Sequence, residues 1–518
     1  GEEGRRREEK KGSVTTCACD SQSMNIRTLP LIGSLRPTAF LPLCLALLST
    51  SHAFTPTPPR CLPHLSPRLA VSLPKRSAGV AYSIVMASHG LGFDFGTSGV
   101  RINVVSSETL EVVHADSRAY SEQSAEVWNG AMDELLHAIP PKVRGDIDRI
   151  SVSGTSASVL LASPSSSGGA SRGPRMYDFS VVDTPKGTEA LDLINSKAPA
   201  GHCVRSATSS LAKVLSWGLE EALGEGESVA HQADFLASRL TGEGVPITSD
   251  WNNMLKFGYD PMDDKYPEWV TDMTTSCGIS AEKLPRVVRP GGLIGDVSAE
   301  ACDKYGLASG CKVFGGTTDS IAAFIAAGTK GAGEAVTSLG STVAIKLLSD
   351  TRIDESDYGV YSHRLDDVWL VGGSSNVGCA VLRQEKFSGE EITEMSKEID
   401  PLSAPPDGIR YYPLTKVGER FPVYDPSKQP VLTPVPDSRK DFLHGLLYGI
   451  AEVERDGFKV LSQLGASKVS KILTAGGGSV NPTWTKMREG LIGCPVAPAS
   501  NSDAAYGVAL LSLGRHLS

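Results

Sequence analysis

The chain has 518 residues with 40 % hydrophobic and 21 % charged side chains, the balance of a soluble globular protein of two to four domains. A formal net charge of −9 and the lack of a basic tract argue against a nucleic-acid partner, because an acidic surface is not steered toward phosphodiester backbones. Ten cysteines are scattered, Cys17 and Cys19 forming the only close pair, and no C-x-x-C occurs; this disfavours a zinc site and points to reduced thiols.

The first ninety residues differ in kind. Residues 1–23 contain GEEGRRREEKK, a charge run without an apolar period, read either as leader sequence ahead of Met24 or as an extension without a fold. From Met24 to His89 there is no Asp or Glu against six Lys or Arg, a bias typical of targeting peptides. Ala39–Leu48 is a short apolar run, too short to span a bilayer, and small residues follow it up to Ala53. A Pro-, Ser- and Arg-rich tract opens at Phe54. The arrangement resembles the bipartite presequences of algae with red-derived secondary plastids: a signal cleaved near Ala53, then a transit peptide. The expected address is the plastid (chloroplast) stroma, with secretion or the cytoplasm as alternatives. Residues 1–88 are therefore set apart from the fold, and no membrane segment is expected in the mature form.

The folded part opens with GFDFGTSGVRI (92–102). Strands are expected at 91–95 and 100–105 around a Gly-Thr-Ser-Gly turn, with a third at 110–114. Apolar spacing over Ala125–Ile139 predicts a helix. RISVSGTSASVLLAS (149–163) reads as strand, turn at Gly154-Thr155-Ser156, strand, and 163–175 as a solvated low-complexity loop. EAVTSLGSTVAIKLLSD (334–350) is again strand, Gly-Ser-Thr turn, strand, and 358–378 supplies a third strand and leads into a helix. One theme thus occurs twice, about 245 residues apart, which predicts two similar lobes facing each other across a cleft. Between the copies, a strand ending in Gly-Gly-Thr-Thr leads to Asp319 and an alanine-rich helix. TAGGGSVNPTW (474–484) is a strand, three glycines and a helix with Asn481 as N-cap and Pro482 at its first position. A last small-residue helix is expected over Asp503–Leu513.

A turn of glycine with Ser or Thr offers N–H groups and hydroxyls to an anion, and glycine lets the main chain approach closely. Two such turns at equivalent places in duplicated lobes can hold the phosphates of one nucleotide from both sides. The glycines at 476–478 before a helix add a third nucleotide-facing feature, or form a plain strand-to-helix turn. There is no G-x-x-x-x-G-K-[ST] and no G-x-G-x-x-G after the first strand, which disfavours P-loop and Rossmann enzymes. Asp319 is either a first-turn acid favoured by the helix dipole or a carboxylate able to accept a proton from a substrate hydroxyl.

FDFGTSGVR, GGTTDSIAAFIAAG, SLGSTVAIKL and TAGGGSVNPTW resemble, in order and spacing, the FGGY carbohydrate kinases over about residues 90–517. SVSGTSASVLL and SDWNNMLKFGYDP (249–261) resemble their plant and cyanobacterial D-ribulose kinase branch, also labelled xylulose-kinase-like. The resemblance implies an α/β fold of two duplicated actin-like (ribonuclease H-like) lobes, a sugar lobe over 89–330 and an ATP lobe over 331–518. It implies transfer of phosphate from ATP with Mg²⁺ to a ketopentose, D-ribulose first and D-xylulose as the alternative, by a monomer or weak dimer. Asp319 would be the general base and a sugar ligand. Asp94 would lie near sugar and Mg²⁺ (through water), Thr97 on the transferred phosphoryl group, and Ser156 on the sugar. Ser341 and Gly378 would face the ATP phosphates and nucleotide, with Gly477, Gly478, Ser479 and Asn481 at the adenosine and Trp484 packed on the adenine. A weakly active sugar or ATP sensor is the other class of protein these clefts suit. MYDFSVVD (176–183) departs from the branch, Asp178 standing where an amide is expected.

Overall fold

The computed structural model describes residues 88–162, 169–242 and 244–517. The presequence readings for 1–87 lie outside the described residues. Ten strands form the duplicated framework. In the first lobe these are β1 His89–Phe95, β2 Gly99–Ser106, β3 Val112–Ala119, β4 Ile147–Gly154 and β5 Lys312–Thr318. In the second they are β6 Glu334–Leu339, β7 Val343–Ser349, β8 Val368–Ser374, β9 Lys471–Ala475 and β10 Val496–Pro498. Each sheet places its strands in the same order: third, second, first, fourth, fifth. The first three are antiparallel neighbours, and the first, fourth and fifth run parallel. This is the actin-like, ribonuclease H-like fold, present twice.

The hairpins form where expected because glycine permits the tight reversal: Gly96 N–H donates to Gly99 O at 3.0 Å. The register then sets Asp94 opposite Arg101 and Phe95 opposite Val100. The helix Ala125–Ala138 is capped by Ser124, whose hydroxyl accepts from Val127 N, and buries Trp128, Leu135 and Leu136 on the first sheet. The expected helix start at Asn481-Pro482 forms as well, Asn481 Oδ1 accepting from Trp484 N at 3.0 Å.

Two expectations are corrected and one is made sharper. The third strand runs over Val112–Ala119, beyond the expected 110–114, because its half-exposed residues lack an apolar run to mark them. The second copy's third strand falls within the expected 358–378, as β8, and the preceding Tyr361–Leu365 is an extra edge strand beside it. Ala170–Arg175, expected as loop, is a strand on the edge of a separate sheet with Val159–Ala162 and Ser228–His231. Its order comes from tertiary partners: Arg172 forks onto Glu227 at 2.9 and 3.1 Å, and Arg175 lies 4.3 Å from the Trp217 ring. An edge position tolerates its Pro174.

In the second lobe a fully buried ion pair ties four elements. Arg488, on the helix Pro482–Ile492, bonds Glu454 of the helix Arg439–Gln463 at 2.6 and 2.7 Å. Thr337 of β6 and Thr474 of β9 complete the network. Burying these charges is tolerable because each polar atom is paired.

Two small-residue helices, Asp319–Ala326 and Ala504–Ser512, cross between the sheets. A Cβ at Gly507 would meet Ala322 O at 1.9 Å, and one at Gly92 would meet Ala505 O at 2.1 Å. Glycine at both positions therefore lets the last helix seat on the other helix and on β1. Ile321, Phe324 and Leu510 of these helices join Val105, Val336 and Leu348 in one buried cluster between the lobes. Gly507→Ala is expected to cost about 2 kcal/mol, the overpacking of a site closed by backbone, read as a lowered Tm in a thermal melt. Among the described residues no helix is long and apolar enough to cross a membrane, and Cys203, Cys277, Cys302, Cys311, Cys379 and Cys494 are free.

Candidate active site

The carboxyl-terminal ends of β1, β4 and β5 meet at one place. Gly154 stands between Phe95 on one side and Thr318 on the other. Asp94, the Gly154–Ser156 turn and Asp319 therefore converge, although they come from three distant parts of the chain.

Asp94 is 2 % exposed. Its Oδ1 accepts from Ser153 Oγ at 3.1 Å, and Arg101 lies 3.5 Å from Oδ2. Burial, then the charge of Asp319, push its carboxyl up to about 6, against the pull of Arg101 and Ser153. Asp319 is the first residue of its helix and half-buried, and its Oδ1 accepts from Ser320 N at 2.6 Å. That is the first-turn contact the dipole favours. Among the described residues its Oδ2 has no hydrogen bond, and both carboxylates line one cavity of about 570 Å³ with Thr97 and Arg101. Burial raises the Asp319 pKa, opposed by the Ser320 bond and by the charges of Lys346 and Lys256. A cavity-facing carboxylate with one oxygen free and its pKa raised by burial is suited to accept a proton from a bound hydroxyl.

The first turn is braced from outside. Tyr120 OH donates to Gly96 O at 2.5 Å, and Gln123 Nε2 donates to Thr97 O. Trp128 Nε1 orients Gln123 through a 2.9 Å bond to its Oε1. Thr97 is thus held at the cavity mouth by main-chain contacts while its side chain is exposed to the cavity. Ser156 is half-buried on its turn.

Opposite lies a second cavity, of about 600 Å³, under the Gly340–Thr342 turn. Ser341, Gly477, Gly478, Asn481 and Trp484 line it, together with Phe387. Four of the expected nucleotide-side residues are also engaged within the fold. Trp484 is 2 % exposed and its indole N–H donates to Leu447 O at 3.0 Å, so it forms the wall from within the core rather than a free stacking face. Ser479 Oγ donates to Gly476 O at 2.7 Å. Gly378 packs beneath the second turn: a Cβ there would meet Thr342 Cα at 2.5 Å, so its role is to let that turn seat. Asn481 spends its amide on the helix cap and on Ser396 Oγ at 2.8 Å.

Several site residues escaped the sequence reading. Arg101 was legible in hairpin register, two residues past the turn as Asp94 is two before it. Lys346, on β7, reaches Ser320 O at 2.6 Å, and burial lowers its pKa to about 8 against the pull of Asp319. His363 is held well below its ordinary value by burial and the charges of Lys346 and Lys256. Asn252 joins the lobes: its Nδ2 donates to Thr317 Oγ1 at 3.0 Å, and its Oδ1 accepts from Arg364 N at 3.2 Å. Arg352–Asp260, at 3.5 Å, is a second link across. Such long-range partners leave no local signal.

Comparison with known proteins agrees with this architecture. Residues 335–513 match the model of the FGGY family of carbohydrate kinases, C-terminal domain. A xylulose kinase of Bacillus subtilis (strain 168) is 25 % identical over 458 residues, covering 82 % of this chain and 87 % of that protein. The crystal structure of a xylulose kinase from Rhodospirillum rubrum superposes with a TM-score of 0.68 at 20 % identity, over 82 % of this chain and 89 % of that one. A Plasmodium falciparum glycerol kinase solved with ADP gives 0.65 at 14 % identity, with 82 % and 89 % covered. The second lobe is therefore of the FGGY carbohydrate-kinase type. Over most of its length the chain is similar to xylulose kinases.

Proposed function

We propose that the protein is an ATP-dependent sugar kinase acting on a ketopentose. The observation that carries this reading is the pair Asp94 and Asp319 in one cavity, flanked by the two Gly/Ser/Thr turns of duplicated lobes. ATP would lie with its adenosine in the second cavity and its phosphates between Thr97 and Ser341. The sugar would sit against Asp94, Ser156 and Asp319. Asp319 accepts the proton of the terminal hydroxyl as that oxygen attacks the γ-phosphorus; the bond to the bridging oxygen breaks and ADP leaves. The products are ADP and a ketopentose 5-phosphate.

The donor set suits Mg²⁺. The facing carboxylates of Asp94 and Asp319 are hard oxygen donors, and the described residues contain no cluster of three or more His, Cys, Asp or Glu. Mg²⁺ usually keeps its waters and binds one or two carboxylates plus substrate phosphates. Bound near Asp94, it would supply charge neutralisation on the phosphate oxygens. Lobe closure over the crossing helices would exclude water and protect ATP from hydrolysis.

D-Ribulose is the first acceptor, supported by the resemblance of SDWNNMLKFGYDP and SVSGTSASVLL to the ribulose kinase branch. D-Xylulose is the second, favoured by the names of the relatives. The test is ADP release by the full chain with D-ribulose, D-xylulose, L-ribulose and glycerol. Turnover on a ketopentose supports the reading; ATP binding with no turnover on any sugar makes the protein a sensor. Ser341→Ala is expected to raise the ATP KM about 10-fold, the loss of one charge-assisted hydrogen bond, with the sugar KM unmoved. Import of a reporter fused to residues 24–90 tests the plastid address; secretion of the fusion would refute it.

A further inference from the structure

We propose that Lys213 is a positioning residue for the sugar side of this site, pinning the turn after β4 against the segment 176–179. The proposal rests on the sugar-kinase reading. Lys213 lies on the helix Ser210–Glu220 and is 0 % exposed. A buried ammonium is expensive unless each proton has a purpose. Among the described residues Lys213 has no ion pair. Its Nζ donates to Ala157 O at 2.9 Å and to Met176 O at 2.6 Å, two main-chain carbonyls from different loops.

The first of these loops adjoins Ser156, and Lys213 ties the second to it. Ala157 follows Ser156, and its backbone is left-handed, with φ of 65°. A residue with a Cβ adopts that conformation only when its surroundings impose it. The turn continues with Ser158 N donating to Thr155 O at 3.2 Å. On the other side, Met176 O also accepts from Phe179 N at 3.0 Å, closing the turn that carries Tyr177 and Asp178. Burial lowers the Lys213 pKa to about 7, while the charge of Asp178 favours the protonated form. Asp178 is the residue that departs from the resembled pattern; an acid there supports the buried cation where an amide would not. Arg175 Nη1 in turn donates to Lys213 O at 2.7 Å, tying the helix backbone at Lys213 to the strand Ala170–Arg175.

The experiment compares amide hydrogen exchange in the full chain and in Lys213→Met. Exchange is expected to accelerate at least about 10-fold at Ser158 and Phe179, and to stay unchanged at 476–481 in the nucleotide lobe. In steady state the sugar KM should rise about 10-fold, with the ATP KM within about twofold. Ala157→Gly added to Lys213→Met should recover part of the sugar KM, because glycine holds the left-handed turn without help. Unchanged exchange at both turns overturns the proposal, as does a lowered Tm with both KM values intact. If Lys213→Met does not fold, Lys213→Arg takes its place, since it keeps the charge but not the lysine's reach to both carbonyls. Altered exchange in a protein whose wild type turns over no sugar supports the pinning and refutes the kinase reading instead.

Discussion

Asp319→Asn is expected to lower kcat about 1,000-fold while leaving ATP binding within about twofold, the signature of a lost general base. Asparagine keeps the size of the side chain and can still accept from Ser320 N, so the helix start survives. What it lacks is the ability to take the hydroxyl proton. A purely capping Asp319 would instead cost a fraction of the stability and leave kcat near wild type. Titration calorimetry with ATP and single-turnover kinetics with sugar separate the two.

Asp94→Asn should trade activity for stability. The folded carboxyl is held near 6 against an ordinary value of 3.8, so the native state binds its proton more tightly than the unfolded chain. Below about pH 4 both states are protonated and the difference vanishes. From about pH 4 to 6 the native state holds the extra proton, so stability falls as pH rises. Above that window the whole cost, on the order of 2–3 kcal/mol, remains. The neutral amide removes it. Denaturant unfolding should show Asp94→Asn more stable than wild type at pH 7.5 and equal to it near pH 4, with kcat at least about 100-fold lower. Equal stability at both pH values would mean that Asp94 bears no such burden. For the wild type, kcat/KM should fall as pH drops through about 6, as the Asp94 and Asp319 pair takes up a proton.

The elements with local signals were legible in the sequence. Period-2 runs around Gly-Thr-Ser and Gly-Ser-Thr marked both hairpins, and their repetition marked the two lobes. Asn481-Pro482 marked a helix start by chemistry that acts within one turn. The strand Ala170–Arg175 was illegible because Glu227 and Trp217, far along the chain, hold its arginines. β8 was legible within 358–378, but the extra edge strand Tyr361–Leu365 beside it was not told apart from it. At the site, Asp94, Thr97 and Asp319 could be picked out because each sits beside a glycine-rich turn or strand end. Lys213, Asn252 and Lys346 could not, since their partners are main-chain or side-chain atoms brought close only by the fold. Trp484 shows the converse: its place one turn into a helix after the glycines suits a base-facing ring, but the core claims most of its surface.

The most direct test of the account is phosphorus NMR of a reaction of the full chain with ATP and D-ribulose, repeated with D-xylulose. The account predicts a phosphomonoester signal split by two methylene protons, rising in step with ADP on a ketopentose and rising about 1,000-fold more slowly in Asp319→Asn. Inorganic phosphate appearing with ADP, or no consumption of ATP with either sugar, would contradict it.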